Sequence, residues 1–157
     1  MEDQKKYFKG TIPPPVIFFA FVMFSYLARR IMPVDLIFST QTVRLLVGLP
    51  ILLMSGIIAA AASMIMIKNR TAINYYKPTT KFLLTGPFRF TRNPLYLSFL
   101  LAILAMAVIS NSLWHLISCV IMFFVFNFGI VAREERYLTK CFGDEYIRYK
   151  QKVRRWI

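Results

Sequence analysis

Long apolar runs, separated by short polar stretches, dominate the sequence. A helix needs about 20 mostly apolar residues to cross a bilayer, and four runs are near that length. They cover residues 13–32, 43–67, 94–110 and 112–132. Only a few polar residues around Asn111 separate the last two runs, which predicts a tight antiparallel helical hairpin. The pattern therefore predicts an all-α fold, a polytopic membrane helix bundle of about four transmembrane helices.

The second run has features that predict how its helix packs. Pro50 lies inside the run and predicts a kink, because proline removes a backbone hydrogen bond from a helix. Small residues recur along the run and predict that a neighbouring helix approaches closely, in particular at the Gly56-x-x-x-Ala60 spacing. They are Gly48, Ser55, Gly56, Ala59, Ala60 and Ser63.

The composition agrees with a membrane protein. Hydrophobic residues make up 57% of the chain and charged residues 17%, whereas about 25% of a soluble domain is charged. The net charge is +13, but the basic residues fall between apolar runs and do not share one face, so no nucleic-acid partner is expected. The two cysteines, Cys119 and Cys141, give neither a disulfide framework nor the spacing of a metal site.

The distribution of basic residues predicts the orientation in the bilayer. With four crossings, the N-terminus, the loop 68–93 and the tail 133–157 lie on one side, and they hold 17 of the 20 lysines and arginines. Basic residues favour the cytoplasmic side. Both termini are therefore expected in the cytoplasm, with the chain in a bacterial or archaeal cell membrane, or in the endoplasmic reticulum of a eukaryote.

The most polar, turn-rich stretch, TGPFRFTRNPLYLS, directly precedes the third apolar run. Pro94 suits the first helical position, and Asn93 suits the N-cap because its side chain can accept a hydrogen bond from a free backbone N–H. Arg92 stands beside this helix N-terminus, where the helix dipole also favours negative charge. The stretch therefore predicts an anion-binding corner, although Asn-Pro is also an ordinary helix start.

An acidic pair, Glu134 and Glu135, follows the fourth apolar run. If the helix ends near residue 132, its dipole disfavours carboxylates there, so the pair predicts a cation-binding corner on the same side as Arg92. Phe88, Phe90 and Tyr96 could stack on a planar ring between the two corners. The alternative is a solvated interfacial cluster with an aromatic belt at the membrane surface.

These motifs, in this order, resemble a family of membrane enzymes. About residues 79–156 are similar to the isoprenylcysteine carboxyl methyltransferase and phospholipid N-methyltransferase family. The similarity lies in the stretch GPFRFTRNPLYLS, the apolar hairpin that follows it, and the stretch REERYLTKCFGDEYIRYKQKVRRWI. The resemblance implies that S-adenosylmethionine lies in a cytoplasmic pocket formed by loop 68–93 and closed by the basic tail 133–157, and that it leaves as S-adenosylhomocysteine. A lipophilic acceptor would arrive from the lipid bilayer.

The resemblance also implies roles for individual residues. Carried over, the cofactor-binding set is Leu83, Leu84 and Phe88 at the adenosine, Asn93 and Tyr96 at the amino-acid end, and Glu134. Arg92 is retained from the family pattern and is a catalytic candidate. Glu135, or water, would take the proton from an amine acceptor.

One departure from the family pattern concerns the acceptor. The isoprenylcysteine enzymes carry an arginine one turn before the first glutamate, which holds the substrate carboxylate, and this chain has Ile130 there. An apolar side chain cannot pair with a carboxylate. The expected acceptor is therefore an amine, thiol or hydroxyl on a hydrophobic molecule.

Two other functions remain open from the sequence. One is an NADPH-dependent membrane reductase of the steroid 5α-reductase type, whose helical bundle carries a similar Arg-His-Pro step and a glutamate near its end. The other is a small membrane protein without enzymatic activity. His115, the only histidine, follows the hairpin turn and is taken as structural.

Overall fold

The computed structural model describes residues 12–36, 40–69 and 83–157. Over these residues the chain is helical, without a named β-strand, which confirms the all-α prediction. The elements are α1 (Pro14–Ile31), α2 (Gln41–Lys68), a 3₁₀-helix (Gly86–Arg89), α3 (Pro94–Ile109), α4 (Leu113–Phe124), a π-helical segment (Val125–Val131) and α5 (Ala132–Lys152).

Three of the described helical stretches are long and apolar enough to cross a membrane: α1, α2 and the continuous stretch Leu113–Lys152. The third apolar run forms α3, which has 16 residues. At about 1.5 Å per residue this helix is shorter than the hydrocarbon core of about 30 Å. Most large apolar side chains of α1 and α2 are exposed, as in helices whose solvent is lipid. These features support an integral membrane protein.

The prediction that the fourth helix ends near residue 132 was wrong. Helical structure continues from α4 through the π-helical segment into α5 and ends at Lys152. Good helix formers such as alanine, glutamate, arginine and leucine follow residue 131, so the change from apolar to charged residues does not end the helix. Gly143, with φ 53° and ψ −130°, breaks α5 instead, in a conformation that glycine reaches because it has no Cβ atom.

The described residues divide into two compact units. The first comprises residues 12–36, 40–57 and 96–125. Here the predicted hairpin of α3 and α4 is confirmed: Asn111 turns the chain with φ 50°, the Ser112 N–H donates to the Ala107 carbonyl, and the Cys119 thiol lies 3.5 Å from the Leu100 carbonyl.

Helix α1 packs against α4 within this first unit. The Arg29 guanidinium donates to the Asn111 carbonyl at 2.8 Å and pairs with Asp35 at 3.1 Å. The Trp114 indole N–H donates to the Met32 carbonyl at 2.7 Å. These contacts fasten the end of α1 to the hairpin turn, where the Asn111 carbonyl also accepts the Leu36 backbone N–H. Trp114 provides a donor for the Met32 carbonyl at the end of the helix.

Helix α2 meets α3 in the same unit through Gly48 and Ser55, two of the small residues that recur along the predicted run. The Ser55 hydroxyl donates to the Ser98 carbonyl at 2.8 Å, and both serines are buried. A Cβ atom on Gly48 would collide with the Ile109 side chain, so glycine is needed for this close approach. Gly56 is exposed with no atom near its missing Cβ, and the prediction of close packing there was wrong.

The second unit comprises residues 58–69, 83–95 and 126–157. It contains the polar stretch before α3, the π-helical segment, α5 and the residues that follow α5. We call residues 153–157 the strap. Nearly all candidate functional residues lie in this unit.

Candidate functional site

The strap binds the loop that precedes α3. The Thr91 hydroxyl and the Asn93 side-chain amide both donate to the Arg155 carbonyl, at 3.1 and 2.9 Å. The Arg92 backbone N–H donates to the Arg154 carbonyl at 3.1 Å. Thr91 and Asn93 are buried, and the Thr91 hydroxyl also accepts the Asn93 backbone N–H. Four hydrogen bonds therefore fix a short loop whose backbone has no regular secondary structure.

Glu135 joins that loop to the strap through charge. The Arg155 guanidinium donates to both carboxylate oxygens, at 2.6 Å from Nη2 to Oε2 and 3.1 Å from Nε to Oε1. Arg92 Nη1 lies 3.0 Å from Oε1. The Arg92 and Glu135 side chains are only 11% and 12% exposed. The contact between Arg155 and Glu135 is bidentate and charge-assisted, which is the strongest class of side-chain hydrogen bond.

The π-helical segment supplies Asn127 to the same cluster. Its side-chain oxygen accepts from Arg155 Nη1 at 3.0 Å and from the Trp156 indole N–H at 3.1 Å. π-Helical turns are uncommon and occur frequently at functional sites. Here the turn carries Asn127, whose side chain contacts two consecutive residues of the strap.

The cluster holds Arg155 firmly in its charged form. Hydrogen bonding to the Glu135 carboxylate raises the pKa of the Arg155 guanidinium above its ordinary value, although partial burial acts in the other direction. Two guanidinium groups thus surround one carboxylate. The counter-ions of Glu135 come from the chain itself.

Two buried tyrosines of α5 complete the surroundings. The Tyr149 hydroxyl donates to the Phe88 carbonyl at 2.7 Å, which fixes the 3₁₀-helix against α5. Tyr146 lies beside Tyr149, with ring centroids 5.9 Å apart. Both tyrosines are buried in the unit that contains the ion pairs.

The predicted residues have different surroundings. Arg92, Asn93 and Glu135 meet at the strap. Leu83, Phe88 and Glu134 are half-buried in the same unit, and Leu84 is exposed there. Tyr96 is buried in the first turn of α3 and belongs to the other unit.

Two premises behind the predicted corners need correction. Glu134 and Glu135 lie in the first turn of α5, within continuous helix, and so do not face a helix C-terminus. Arg92 and Glu135 were expected to serve separate corners, yet they pair with one another. The acidic residue is therefore balanced by arginines, and its presence alone does not require an external cation.

Sequence reasoning missed several residues of the cluster. No role was predicted for four of them, because their contacts are with residues far away in the sequence: Thr91, Asn127, Arg155 and Trp156. All but Asn127 lie within the stretches that carry the family resemblance. The arginines at 154 and 155 were taken only as part of a basic tail. Their position between Val153 and Trp156, in an otherwise charged stretch, was the available signal that this segment packs.

Comparison with known proteins decides the family. A family model described as phospholipid methyltransferase matches residues 43–145, well over half of the chain. The chain belongs to the phospholipid methyltransferase family. This confirms the resemblance found in the sequence, and it supports a membrane methyltransferase.

Two relatives match shorter stretches. An uncharacterized protein of Haemophilus influenzae is 53% identical over 64 residues, which are 40% of this chain and 100% of that protein. Methanethiol S-methyltransferase 1 of Bradyrhizobium diazoefficiens is 39% identical over 66 residues, which are 42% of this chain and only 22% of that protein. No solved structure shows a significant match.

Proposed function

We propose that this protein is an integral membrane methyltransferase that uses S-adenosylmethionine and methylates a lipophilic or small membrane-soluble acceptor. The observation that carries the proposal is the cluster in which Arg92 and Glu135 meet the strap, in a chain of the phospholipid methyltransferase family. Both termini are proposed to lie in the cytoplasm, because the N-terminus, the loop 68–93 and the tail 133–157 hold 17 of the 20 lysines and arginines.

The residues present suit such a cofactor. Arg92 Nη1 lies 3.0 Å from Glu135 Oε1, yet among the described residues neither buried Nη1 nor buried Nε donates a hydrogen bond. The guanidinium therefore has donors that can receive a carboxylate. Glu134 is half-buried one residue before the ion-paired Glu135 and can bind an ammonium or sulfonium group. Leu83, Leu84 and Phe88 offer apolar surface for an adenine ring, and Asn93 is proposed at the amino-acid end.

S-Adenosylmethionine, when bound, supplies a methyl group on a positively charged sulfur. The chain's own contribution is to bind, to orient and to exclude water, and positioning of this kind can be worth about 7–11 kcal/mol of a reaction barrier. Arg92 is proposed to orient the bound molecule. Both oxygens of Glu135 already accept from Arg155, so we propose that Glu135 chiefly holds this arrangement, and that water takes any acceptor proton.

The acceptor is proposed to be a thiol, an amine or a hydroxyl. Ile130 is 4% exposed in the π-helical segment, and an apolar side chain there offers nothing to a substrate carboxylate. A thiol is favoured among the three because a methanethiol S-methyltransferase is one of the relatives.

Ligand binding by detergent-purified protein tests the proposal. Isothermal titration with S-adenosylhomocysteine should give saturable binding, and NADPH should give none. Transfer of radioactive methyl from S-adenosylmethionine to alkyl thiols, amines and a prenylcysteine should then label a thiol or amine and leave the prenylcysteine carboxylate unlabelled. NADPH binding without S-adenosylhomocysteine binding would overturn the proposal in favour of a reductase.

A further inference from the structure

Arg92 and Arg155 share the Glu135 carboxylate unequally. Arg155 donates well-aligned hydrogen bonds to both oxygens. Arg92 Nη1 lies 3.0 Å from one oxygen, but its N–H bonds do not point at it, and within the described part of the chain Nη1 and Nε have no hydrogen-bond partner. Glu135 therefore attracts Arg92 without satisfying its donors.

The geometry of Arg155 explains this inequality. The third guanidinium nitrogen of Arg155, Nη1, donates to the Asn127 side-chain oxygen at 3.0 Å. The backbone carbonyl of Arg155 accepts hydrogen bonds from the Thr91 and Asn93 side chains. The side chain is thus fixed at both ends, with its planar group facing Glu135. A carboxylate has about four acceptor positions, and the bidentate contact with Arg155 takes the two that suit a planar fork best.

We propose that Arg155 is a positioning residue for Arg92. By occupying both oxygens of Glu135, it prevents Arg92 from closing onto that carboxylate and keeps two buried Arg92 donors ready for the carboxylate of a ligand. Without Arg155, Arg92 forms the bidentate pair itself and its donors are consumed. The inference rests on the proposed function, because the ligand carboxylate is that of the amino-acid portion of an S-adenosyl compound.

The test compares two ligands in titrations of the purified protein. S-Adenosylhomocysteine carries the amino-acid carboxylate, and 5′-methylthioadenosine is a related nucleoside thioether that lacks it. Arg155→Ala should raise the dissociation constant of S-adenosylhomocysteine about 10- to 100-fold, the equivalent of one lost charge-assisted contact. The dissociation constant of 5′-methylthioadenosine should change less than about twofold.

Arg148→Ala is the matched control. It removes the same side chain and charge from an exposed position of α5, so it reports general effects of net charge on anionic ligands. Both dissociation constants should stay at the wild-type value in this variant. If Arg155→Ala weakened the binding of both ligands equally, Arg155 would have only a structural role, and the inference would be overturned. Unchanged binding of S-adenosylhomocysteine in this variant would also overturn it.

A double variant separates positioning from folding. In Arg155→Ala with Glu135→Gln, the carboxylate that would capture Arg92 is gone, so S-adenosylhomocysteine binding should recover at least tenfold over Arg155→Ala alone. Further weakening would contradict the mechanism. Should this variant misfold, Arg155→Lys is the second test: its ammonium cannot contact both oxygens and Asn127, so an intermediate loss confined to S-adenosylhomocysteine is expected.

Trp156 provides a readout that needs no ligand. In a Trp114→Phe background, fluorescence quenching by iodide reports whether the strap stays bound, since the Trp156 indole donates to Asn127. Quenching in Arg155→Ala should remain close to that of the parent, while binding of S-adenosylhomocysteine, but not of 5′-methylthioadenosine, is weakened. A clear increase in quenching would show that the strap detaches, and would overturn the positioning role. If the parent protein binds neither nucleoside, the proposed function fails and this inference fails with it.

Discussion

Arg92 Nη1 and Glu135 Oε1 lie 3.0 Å apart, and each side chain is almost nine-tenths buried. Charges removed from water to this extent are stable only while each has its partner. The contact joins the loop before α3 to the first turn of α5, and Arg155 adds the strap to the same carboxylate. Glu135 is therefore the group on which three segments of the unit depend.

Replacing Glu135 with alanine should strongly destabilise the protein. The change leaves the Arg92 and Arg155 guanidinium groups without a counter-ion, and breaking a buried ion pair costs about 3–5 kcal/mol. The free energy of unfolding, measured by denaturant titration in detergent, should fall within or near that range. Glu145→Ala, which removes an exposed acid from the same helix, is the control, and an equal loss in the two variants would contradict the prediction.

Gly48 should tolerate no side chain while Ile109 stays in place. A Cβ atom at position 48 would overlap Ile109, and overpacking of this kind costs about 1–3 kcal/mol. Gly48→Ala should therefore lower the thermal midpoint, and adding Ile109→Ala should restore part of it.

Gly56→Ala is the matched control for that experiment. The position lies on the same helix, nothing occupies the space of its Cβ atom, and alanine favours a helix over glycine by about 1 kcal/mol. The variant should be as stable as the parent or more so. A loss comparable to that of Gly48→Ala would show that the packing of α2 differs from the one described.

The sequence sufficed for the helices because their formation depends on local information. Apolar runs of membrane length predict α1 and α2 whatever their neighbours are, and the hairpin follows from the short polar turn at Asn111. The end of the fourth helix was different. Its apolar residues stop near position 132, but helix continues through charged helix formers, with a break at Gly143, as far as Lys152. The end of the apolar run therefore marks a change from apolar to polar surroundings, and the helix ends elsewhere.

The candidate site could be predicted only in part, for a similar reason. Arg92, Asn93 and Glu135 belong to motifs that stand out in the sequence, and the structure brings these three together. Asn127 and Arg155 act through contacts between distant segments. The hydrogen bonds from Arg155 and Trp156 to the Asn127 side-chain oxygen depend on the tertiary fold. No local sequence pattern therefore predicts them.

Glu134→Ala should weaken ligand binding without unfolding the protein. Glu134 is half-buried and is proposed to hold the positive end of the cofactor. Loss of one charge-assisted contact should raise the dissociation constant of S-adenosylhomocysteine about tenfold. Titration of the variant beside Glu145→Ala gives the comparison, and unchanged affinity in Glu134→Ala would remove this residue from the cofactor site.

Ile130→Arg should destabilise the fold before it can alter the choice of acceptor. The side chain is 4% exposed in the π-helical segment, and an unpaired charge buried there costs several kcal/mol at least. We expect the variant to elute as aggregate in size-exclusion chromatography. Ile130→Met, a change that conserves volume and should cost less than about 1.5 kcal/mol, should elute as the parent does.

A folded Ile130→Arg protein would mean that position 130 can reach water or a bound anion. Methylation of a prenylcysteine carboxylate by that variant, but not by the parent, would then show that this one position selects between a carboxylate and the neutral acceptors proposed for this chain. Folding without that gain of activity would place the acceptor elsewhere, since an arginine accommodated beside the reacting group should attract a carboxylate.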